Sequence, residues 1–316
     1  MNFNYHYYKK LTKPIYIIVF ALLLFVIIGA KLGITSLVPN IKGATRWIYI
    51  GPLSIQPSEL AKYAIVITLA TLMDKRKNKI RDFKYGTLFY VVVGLSMAGL
   101  VFLQNSLSVT IIIMAVTLIM IFVAGGQFSH VFAVGITGVA GAMAYILSTE
   151  FRRARFLNYL DPWKDASDVG YQLVHSLYAI GSGGFFGVGL GQSKQKALYI
   201  PEPYNDFIFS IIIEETGFLG GMLIISLFLV LIAAGINVAI KAKDMYGRLL
   251  ATGIISVVAI QLIINVAVVT GSMPVTGIPM PFISYGGTSM VFIMAAMGIV
   301  LNIAKVSKTV DKKQLS

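Results

Sequence analysis

The sequence DFIFSIIIEETGFLGGMLIISLFLVLIAAGI, residues 206–236, decides the fold class of this chain. After Glu215 the stretch contains no charged side chain. A helix needs about 20 apolar residues to cross the hydrocarbon core of a membrane. The stretch therefore predicts a transmembrane helix over Phe207–Ile236, with acidic residues at its beginning.

The composition excludes most other classes of protein. Of the 316 residues, 57% are hydrophobic and only 12% are charged, and the mean hydropathy is +0.81. Soluble domains carry about 25% charged residues, and disordered chains are poor in apolar residues. We therefore predict an all-α polytopic membrane protein. The net charge of +13 is read as a topology signal rather than a sign of nucleic-acid binding, and the lack of cysteine excludes thiol chemistry.

Apolar runs of suitable length recur along the chain and predict eight transmembrane helices. They lie at Pro14–Gly33, Pro57–Met73, Tyr85–Leu103, Leu107–Ala124, Val131–Ser148, Phe207–Ile236, Leu249–Gly271 and Gly286–Ala304. Lys and Arg concentrate in cytoplasmic loops, and residues 74–84 contain six of them. We therefore expect this segment and both termini to lie in the cytoplasm.

The predicted topology makes residues 1–316 one membrane domain. The cytoplasmic basic loop is 74–84, and the outside loops are 34–56, 150–206 and 272–287. Loop 150–206 contains six cations and six of the 13 acidic residues, and we expect short or re-entrant helices in it. Long connections are usually functional, and outside cations favour an anionic ligand at the outer face. The alternative is an exposed loop whose charges only keep it solvated.

Asp206 stands where the long loop meets the span that begins at Phe207. A carboxylate at the lipid boundary is costly to keep ionised without partners, and it is a candidate general base. Helical spacing places Glu214 on a similar side, about 12 Å deeper, and Glu215 on the opposite side. Two alternatives stay open. Asp206 is a helix N-cap or first-turn acid, and the two glutamates are structural pairing groups inside the bundle.

A second candidate group surrounds Lys62. Glu59 and Lys62 lie three residues apart at the start of a predicted helix, so they can form an ion pair, either in a site or as a structural device. The guanidinium of Arg46 suits a phosphate bidentately. Trp47 and Trp163 fall in outside loops, where they either stack on sugar rings or anchor the chain at the membrane interface.

Two glycine-rich segments interrupt the helical pattern. Residues 181–192 read GSGGFFGVGLGQ, and without a preceding strand they do not form a dinucleotide fingerprint. They predict either a loop whose N–H groups approach an anion or a tight re-entrant turn. Residues 274–287 read PVTGIPMPFISYGG. They cannot form regular helix and predict a wall of an outer-face cavity.

Five strings together resemble the SEDS family (shape, elongation, division and sporulation), the FtsW/RodA/SpoVE group. They follow the order of the family and cover nearly the whole chain. They are Arg46-Trp47 with Gly51-Pro52 and Gln56–Lys62, then Leu160–Trp163, Gly181–Gln192, Pro201–Phe209 and Pro274–Gly287. The details of Gln192–Lys196 and Pro201–Pro203 favour the division or sporulation branch.

The resemblance implies a peptidoglycan glycosyltransferase of the bacterial plasma membrane. Its substrate would be lipid II, an undecaprenyl-pyrophosphate-linked disaccharide-pentapeptide, polymerised at the outer face with inversion, since an α-linked pyrophosphate becomes a β-linked glycan. Its partners would be a class B penicillin-binding protein and other division or elongation proteins.

The resemblance, for Asp206, and the charge pattern, for the other residues, assign roles within this chain. Asp206 would be the essential acid, with Glu214 as a supporting acid and Glu59–Lys62 as a structural ion pair. No all-protein metal cage is evident, so Mg²⁺ or Mn²⁺ at the pyrophosphate would be an optional addition. Substrate contacts would come from Arg46, Arg152, Arg153, Arg155, Lys194, Lys196, Ser284 and Gly286.

The chain differs from the family pattern in two ways. Family members usually have ten spans and this chain opens where the third would begin, so we expect a natural short form, a mis-set start or a fragment. The string Gln104–Thr110 also lacks the acid that relatives often have there. Two other functions therefore stay open: a transporter of the lipid-linked precursor, and an inactive scaffold for a penicillin-binding protein.

Overall fold

The computed structural model describes residues 3–40, 45–166, 170–198 and 204–314. Within these ranges the protein is helical apart from one small antiparallel hairpin, which confirms the predicted all-α class. The strands are β1 (Ile48–Ile50) and β2 (Leu53–Ile55). The helices are α1 (His6–Lys31), α2 (Pro57–Lys75), α3 (Phe89–Leu103), α4 (Leu107–Val123), α5 (Phe128–Leu147), α6 (Glu150–Leu160), α7 (Tyr171–Gly183), α8 (Lys194–Leu198), α9 (Ile208–Lys241), α10 (Met245–Val269) and α11 (Gly287–Gln314).

Each of the eight predicted spans coincides with one of the helices α1–α5 and α9–α11. Among the described residues, six helical segments are long and apolar enough to cross a membrane: His6–Lys31, Phe83–Leu103, Phe128–Leu147, Ile208–Lys241, Met245–Val269 and Gly287–Lys308. The other two are α4, which is apolar but has only 17 residues, and α2, which carries Glu59 and Lys62. The long loop 150–206 contains the short helices α6, α7 and α8, as expected.

The helix α1 begins at His6, and not at Pro14 as the apolar run predicted. Just before this start, Tyr5 N donates to Asn302 Oδ1 at 2.9 Å, and the hydroxyl of Tyr5 donates to Asp244 at 2.5 Å. Tyr5 is only 3% exposed. These tertiary contacts therefore stabilise the first turns of α1, which are rich in lysine and which hydropathy alone places before the span.

The chain folds into two compact units. Unit 1 consists of Met1–Gly135, Ala233–Val258 and Gly287–Ser316, and unit 2 consists of Ile136–Ile232 and Ala259–Gly286. The single membrane domain that the sequence predicts for residues 1–316 stays a prediction.

In unit 1 the helix α2 is central and contacts α1, α3, α4 and α11. Most of its side chains are buried, including the charged pair Glu59 and Lys62. Charged groups facing lipid would be expensive. The position of α2 among other helices explains how a span of low hydropathy can belong to the bundle.

The helix α9 is broken inside its apolar sequence. Gly217 has a φ of 73° and a ψ of −172°, which interrupts the helix. A break exposes backbone N–H and C=O groups, and each unsatisfied group costs several kcal/mol in hydrocarbon. The break therefore requires hydrogen-bond partners from elsewhere in the protein.

The glycine-rich loop after α7 supplies these partners. Residues 184–189 lie beside residues 214–219, and four backbone hydrogen bonds of 2.9 to 3.3 Å join the two segments. The bonds run from Phe218 N to Gly184 O, from Leu219 N to Phe185 O, from Val188 N to Glu214 O and from Gly189 N to Glu215 O. The loop and the break therefore form one backbone frame in unit 2.

Glycine is required at the break. A Cβ atom on Gly217 would lie 2.4 Å from both Gly187 N and Phe185 O, and the positive φ disfavours any other residue. We expect Gly217→Ala to lower the free energy of unfolding by about 2 kcal/mol or more, because strain and collision add. The midpoint of thermal unfolding in detergent measures this loss.

The matched control is Gly99→Ala in α3. A Cβ on Gly99 would meet no atom within 4 Å, so alanine should leave the midpoint unchanged or raise it slightly through its higher helix propensity. A Gly217→Ala midpoint equal to that of the unmodified protein would contradict the broken helix.

Candidate functional site

Asp206 lies in the turn at residues 204–207, before α9 begins at Ile208. It is therefore outside the first turn of the helix. Its carboxylate oxygen Oδ2 is 3.3 Å from the position that a Cβ on Gly277 would occupy, and Gly277 has a φ of +67°. A glycine at this place leaves room for the carboxylate. The Pro/Gly loop, residues 272–287, thus lies beside Asp206, while the outer-face cavity that it was expected to line stays a prediction.

Ser284 connects the Pro/Gly loop to the backbone next to Asp206. Its hydroxyl donates to Asn205 O and accepts from Met280 N, each at 2.7 Å. The next residue, Tyr285, donates its N–H to Tyr204 O at 2.8 Å. The predicted site residue Ser284 therefore belongs to the frame of the site. Gly286 follows in the same loop, directly before α11.

Asn265 in α10 was not among the site residues predicted from the sequence. This residue is 1% exposed, and its amide Nδ2 donates to Asp206 O and to Ile278 O, both at 2.8 Å. The signal was present in the sequence, because an asparagine inside an apolar span is costly unless it is hydrogen-bonded. Asn265 joins the turn that carries Asp206 to the Pro/Gly loop.

Glu214 binds the beginning of α8. The residue is 2% exposed, and the hydroxyl of Ser193 donates to one carboxylate oxygen. The N–H groups of Lys194 and Gln195 donate to the other oxygen at 3.1 and 3.4 Å. Ser193 Oγ also accepts from Lys196 N at 3.0 Å, which is an N-cap contact. These contacts match the structural alternative for Glu214 rather than the role of a supporting acid.

Glu215 contacts the same short segment. Lys196 Nζ lies 2.8 Å from Glu215 Oε1, and this hydrogen bond raises the pKa of the Lys196 ammonium above its usual value. Counted along a helix from Asp206, Glu214 was predicted on a similar side to Asp206 and Glu215 on the opposite side, and this stays a prediction. That count assumed a continuous helix from Asp206, whereas Asp206 lies outside α9.

In the glycine block 181–192 the backbone N–H of Gly191 bonds the Glu215 carboxylate, and four other N–H groups bind backbone carbonyls. The N–H groups of Gly187, Val188, Gly189 and Gln192 donate to backbone carbonyls at Gly183, Glu214, Glu215 and Gly189. Of the two interpretations left open by the sequence, the tight turn agrees with the structure. Its glycines allow a close approach between backbones.

Arg46 belongs to unit 1 and contacts the turn after α3. Its guanidinium donates to Gln104 O at 3.3 Å and to Asn105 O at 2.5 Å. These carbonyls lie at the C-terminal end of a helix, where cations are favourable. Arg46 therefore satisfies backbone carbonyl groups of the turn that follows α3.

The predicted cations of unit 2 differ in their surroundings. Arg153 on α6 and Lys194 on α8 are exposed, whereas Lys196 is paired with Glu215. The side chains of Arg152 and Arg155 lie outside the part of the chain that the structure describes. Of the predicted substrate-contact cations of this unit, Arg153 and Lys194 therefore have described side chains that face solvent.

The predicted contact between Glu59 and Lys62 is confirmed. Lys62 Nζ lies 2.7 Å from Glu59 Oε1, and the two residues are 4% and 1% exposed. A buried pair is weak support for stability, although removal of one partner leaves an uncompensated charge. The geometry agrees with a structural ion pair in unit 1.

Comparison with known proteins identifies the family. The family model FTSW_RODA_SPOVE, described as cell cycle protein, matches residues 1–309. The chain belongs to the FtsW/RodA/SpoVE family. The predicted resemblance to the SEDS family is therefore confirmed, and it extends over the described residues of both units.

Curated relatives support the same assignment. The chain is 42% identical over 308 residues to stage V sporulation protein E of Bacillus subtilis (strain 168), with 98% of this chain and 82% of the relative covered. It is 38% identical over 304 residues to the probable peptidoglycan glycosyltransferase FtsW of Geobacter sp. (strain M18), with 96% and 81% covered. FtsW-like and sporulation proteins therefore both belong to its relatives.

Solved structures agree with the fold. One match has a TM-score of 0.79 and 26% identity, and it covers 97% of this chain and 84% of the other. It is a chain from the solved structure described as "Structural coordination of polymerization and crosslinking by a peptidoglycan synthase complex". The rod shape determining protein RodA of Thermus thermophilus matches with a TM-score of 0.69 and 26% identity, covering 96% and 80%. The protein is thus a multi-pass helical membrane protein of the RodA type.

The contacts of Glu214 predict its effect on stability. In Glu214→Gln, one carboxylate oxygen becomes an NH₂ group that faces donors, so we expect a loss of about 1–3 kcal/mol in the free energy of unfolding. Thermal unfolding in detergent measures this loss.

Glu150→Gln is the matched control for this change. Glu150 is an exposed glutamate in the first turn of α6, and its replacement should cost less than about 1 kcal/mol. Equal shifts for the two variants would show that Glu214 does not hold α8.

Proposed function

We propose that this protein is an inverting peptidoglycan glycosyltransferase, which polymerises lipid II into glycan strands at the outer face of the bacterial plasma membrane. It would serve division, shape or sporulation. The observation that carries the proposal is the position of Asp206 in a member of this family. Its carboxylate lies beside Gly277, and its backbone is held by two other elements of unit 2. The names of the FtsW relatives supply the reaction class.

In the proposed reaction Asp206 is the general base. A hydroxyl of the acceptor sugar attacks C1 of the donor sugar, and its proton passes to the carboxylate of Asp206. The new C1–O bond forms as the bond from C1 to the pyrophosphate oxygen breaks. The undecaprenyl pyrophosphate leaves with the bonding electrons. A single displacement inverts the α linkage to β and needs no protein nucleophile.

The leaving pyrophosphate needs cations, because its negative charge grows in the transition state. The exposed side chains of Arg153 and Lys194 are the first candidates in unit 2, while Lys196 already neutralises Glu215. Among the described residues, no group of three His, Asp or Glu side chains could hold a metal ion. A divalent cation such as Mg²⁺ or Mn²⁺ would therefore depend on ligands from the substrate, and no step relies on it.

The proposed partner is a class B penicillin-binding protein, which would cross-link the glycan. The support is the match to a chain from a peptidoglycan synthase complex. The basic segment 74–84 and the basic termini support a topology with both ends in the cytoplasm. This topology would place the loop 150–206 and Asp206 on the outer side, where the glycan strand is needed.

Asp206→Ala tests the proposed role of the carboxylate. The protein is co-purified with a class B penicillin-binding protein from the same genome and given lipid II, and glycan strands are separated on a gel. Without the base we expect polymerisation to fall by about a hundredfold or more. The control is Glu150→Ala, which removes an exposed acid from α6 and should leave the rate unchanged.

Two outcomes would contradict this proposal. Polymer at the unmodified rate from Asp206→Ala would remove Asp206 from the reaction. No polymer from the unmodified protein, together with movement of labelled lipid II across liposome membranes in both proteins, would favour the precursor transporter.

A further inference from the structure

The start of α9 is unusual in its hydrogen bonding. Ser210 N donates to Phe207 O at 3.1 Å, and Ile211 N donates to the same carbonyl at 3.4 Å. In a regular helix that included Asp206, Ser210 N would donate to Asp206 O, four residues earlier. Here the carbonyl of Asp206 instead accepts from Asn265 Nδ2 at 2.8 Å. The first carbonyl that accepts a hydrogen bond at the start of α9 is therefore that of Phe207, and the carbonyl of Asp206 takes no part in the helix.

The amide of Asn265 has a single reasonable orientation. Both of its neighbours at 2.8 Å, Asp206 O and Ile278 O, are carbonyl oxygens, which accept and cannot donate. Only the NH₂ group can serve both of them. Asn265 therefore donates its two amide hydrogens to two different segments, the turn at 204–207 and the Pro/Gly loop.

Both segments contribute to the position of the Asp206 carboxylate. The turn fixes the backbone that carries it, and Gly277, next to Ile278, provides the space beside Oδ2. A shared donor between the two segments fixes their separation. Ser284 and Tyr285 add bonds to Asn205 and Tyr204, but they do not bind Asp206 itself.

We propose that Asn265 is a positioning residue for Asp206, which keeps this residue out of α9 and holds its carboxylate against Gly277. Without Asn265, the carbonyl of Asp206 loses the hydrogen bond from this amide. It can then accept from Ser210 N, which would extend α9 and turn the carboxylate onto the helix surface. A displacement of about 1 Å in a catalytic group can cost about a hundredfold in rate. This inference rests on the proposed role of Asp206 as the base.

The test replaces Asn265 by residues that differ in their donors. Asn265→Leu has a similar volume and no donor, and we expect kcat for lipid II polymerisation to fall by about tenfold or more while KM changes by less than about threefold. Asn265→Gln keeps the NH₂ group on a longer side chain and should recover part of kcat. A kcat within about twofold of the unmodified value in Asn265→Leu, or a loss found only in KM, would overturn the proposal.

Asn302→Leu is the matched control, because it also removes a buried asparagine that binds backbone. Asn302 is 5% exposed in α11, and its Oδ1 accepts from Tyr5 N. We expect it to lower the unfolding temperature but to leave kcat per folded molecule unchanged. An equal fall of kcat in both asparagine variants would mean that general destabilisation, rather than positioning, explains the effect.

Hydrogen exchange separates this inference from the proposed function. The amides of Met280 and Tyr285 donate to Ser284 Oγ and Tyr204 O, so they report on the contact between the Pro/Gly loop and the turn. In Asn265→Leu they should exchange about fivefold faster or more, and in Asn302→Leu they should not change. If the unmodified protein fails to polymerise lipid II, the proposed function fails, and unchanged exchange in Asn265→Leu would separately refute the positioning role.

Discussion

The break in α9 at Gly217 is the constraint on which the rest of unit 2 depends. An interrupted helix in an apolar segment leaves backbone groups that lipid cannot satisfy. The loop at residues 184–189 supplies four hydrogen bonds to the broken segment. Glu214 and Glu215 lie directly before the break and hold residues 193–196. The same interruption therefore fixes the glycine-rich loop and the short helix α8.

The site at the start of α9 follows the same principle of backbone support. Asn265 and Ser284 bind the carbonyl groups of Asp206 and Asn205 rather than the carboxylate. Gly277 adds space instead of a contact. The protein therefore fixes the backbone beside Asp206 from α10 and from the Pro/Gly loop. In the proposed reaction this arrangement sets the position of the base before the substrate arrives.

Much of this architecture could be predicted from the sequence, and the failures have physical reasons. Hydropathy located the eight helices that match predicted spans, because apolar residues dominate each span even where charged residues stand in it. The prolines and glycines of 274–287 correctly predicted irregular backbone, and the spacing of Glu59 and Lys62 predicted their contact. The first turns of α1 were missed because Tyr5 is held by Asn302 and Asp244, which are remote in sequence. The predicted relation of Asp206 to Glu214 assumed a helix that continues from Asp206, whereas Asp206 lies outside α9, so it stays a prediction. An asparagine inside an apolar span does signal a buried hydrogen bond, but the sequence does not show that the partners of Asn265 are the carbonyl groups of Asp206 and Ile278.

The central claim is that Asp206 acts as a base in a single inverting displacement. The configuration of the new glycosidic bond tests it most directly, together with the intact mass of the protein during turnover of lipid II. The account predicts β linkages throughout the strand, cleavable by a muramidase, and no glycosyl adduct on the protein. Retention of the α configuration, or a sugar bound covalently to Asp206, would contradict it.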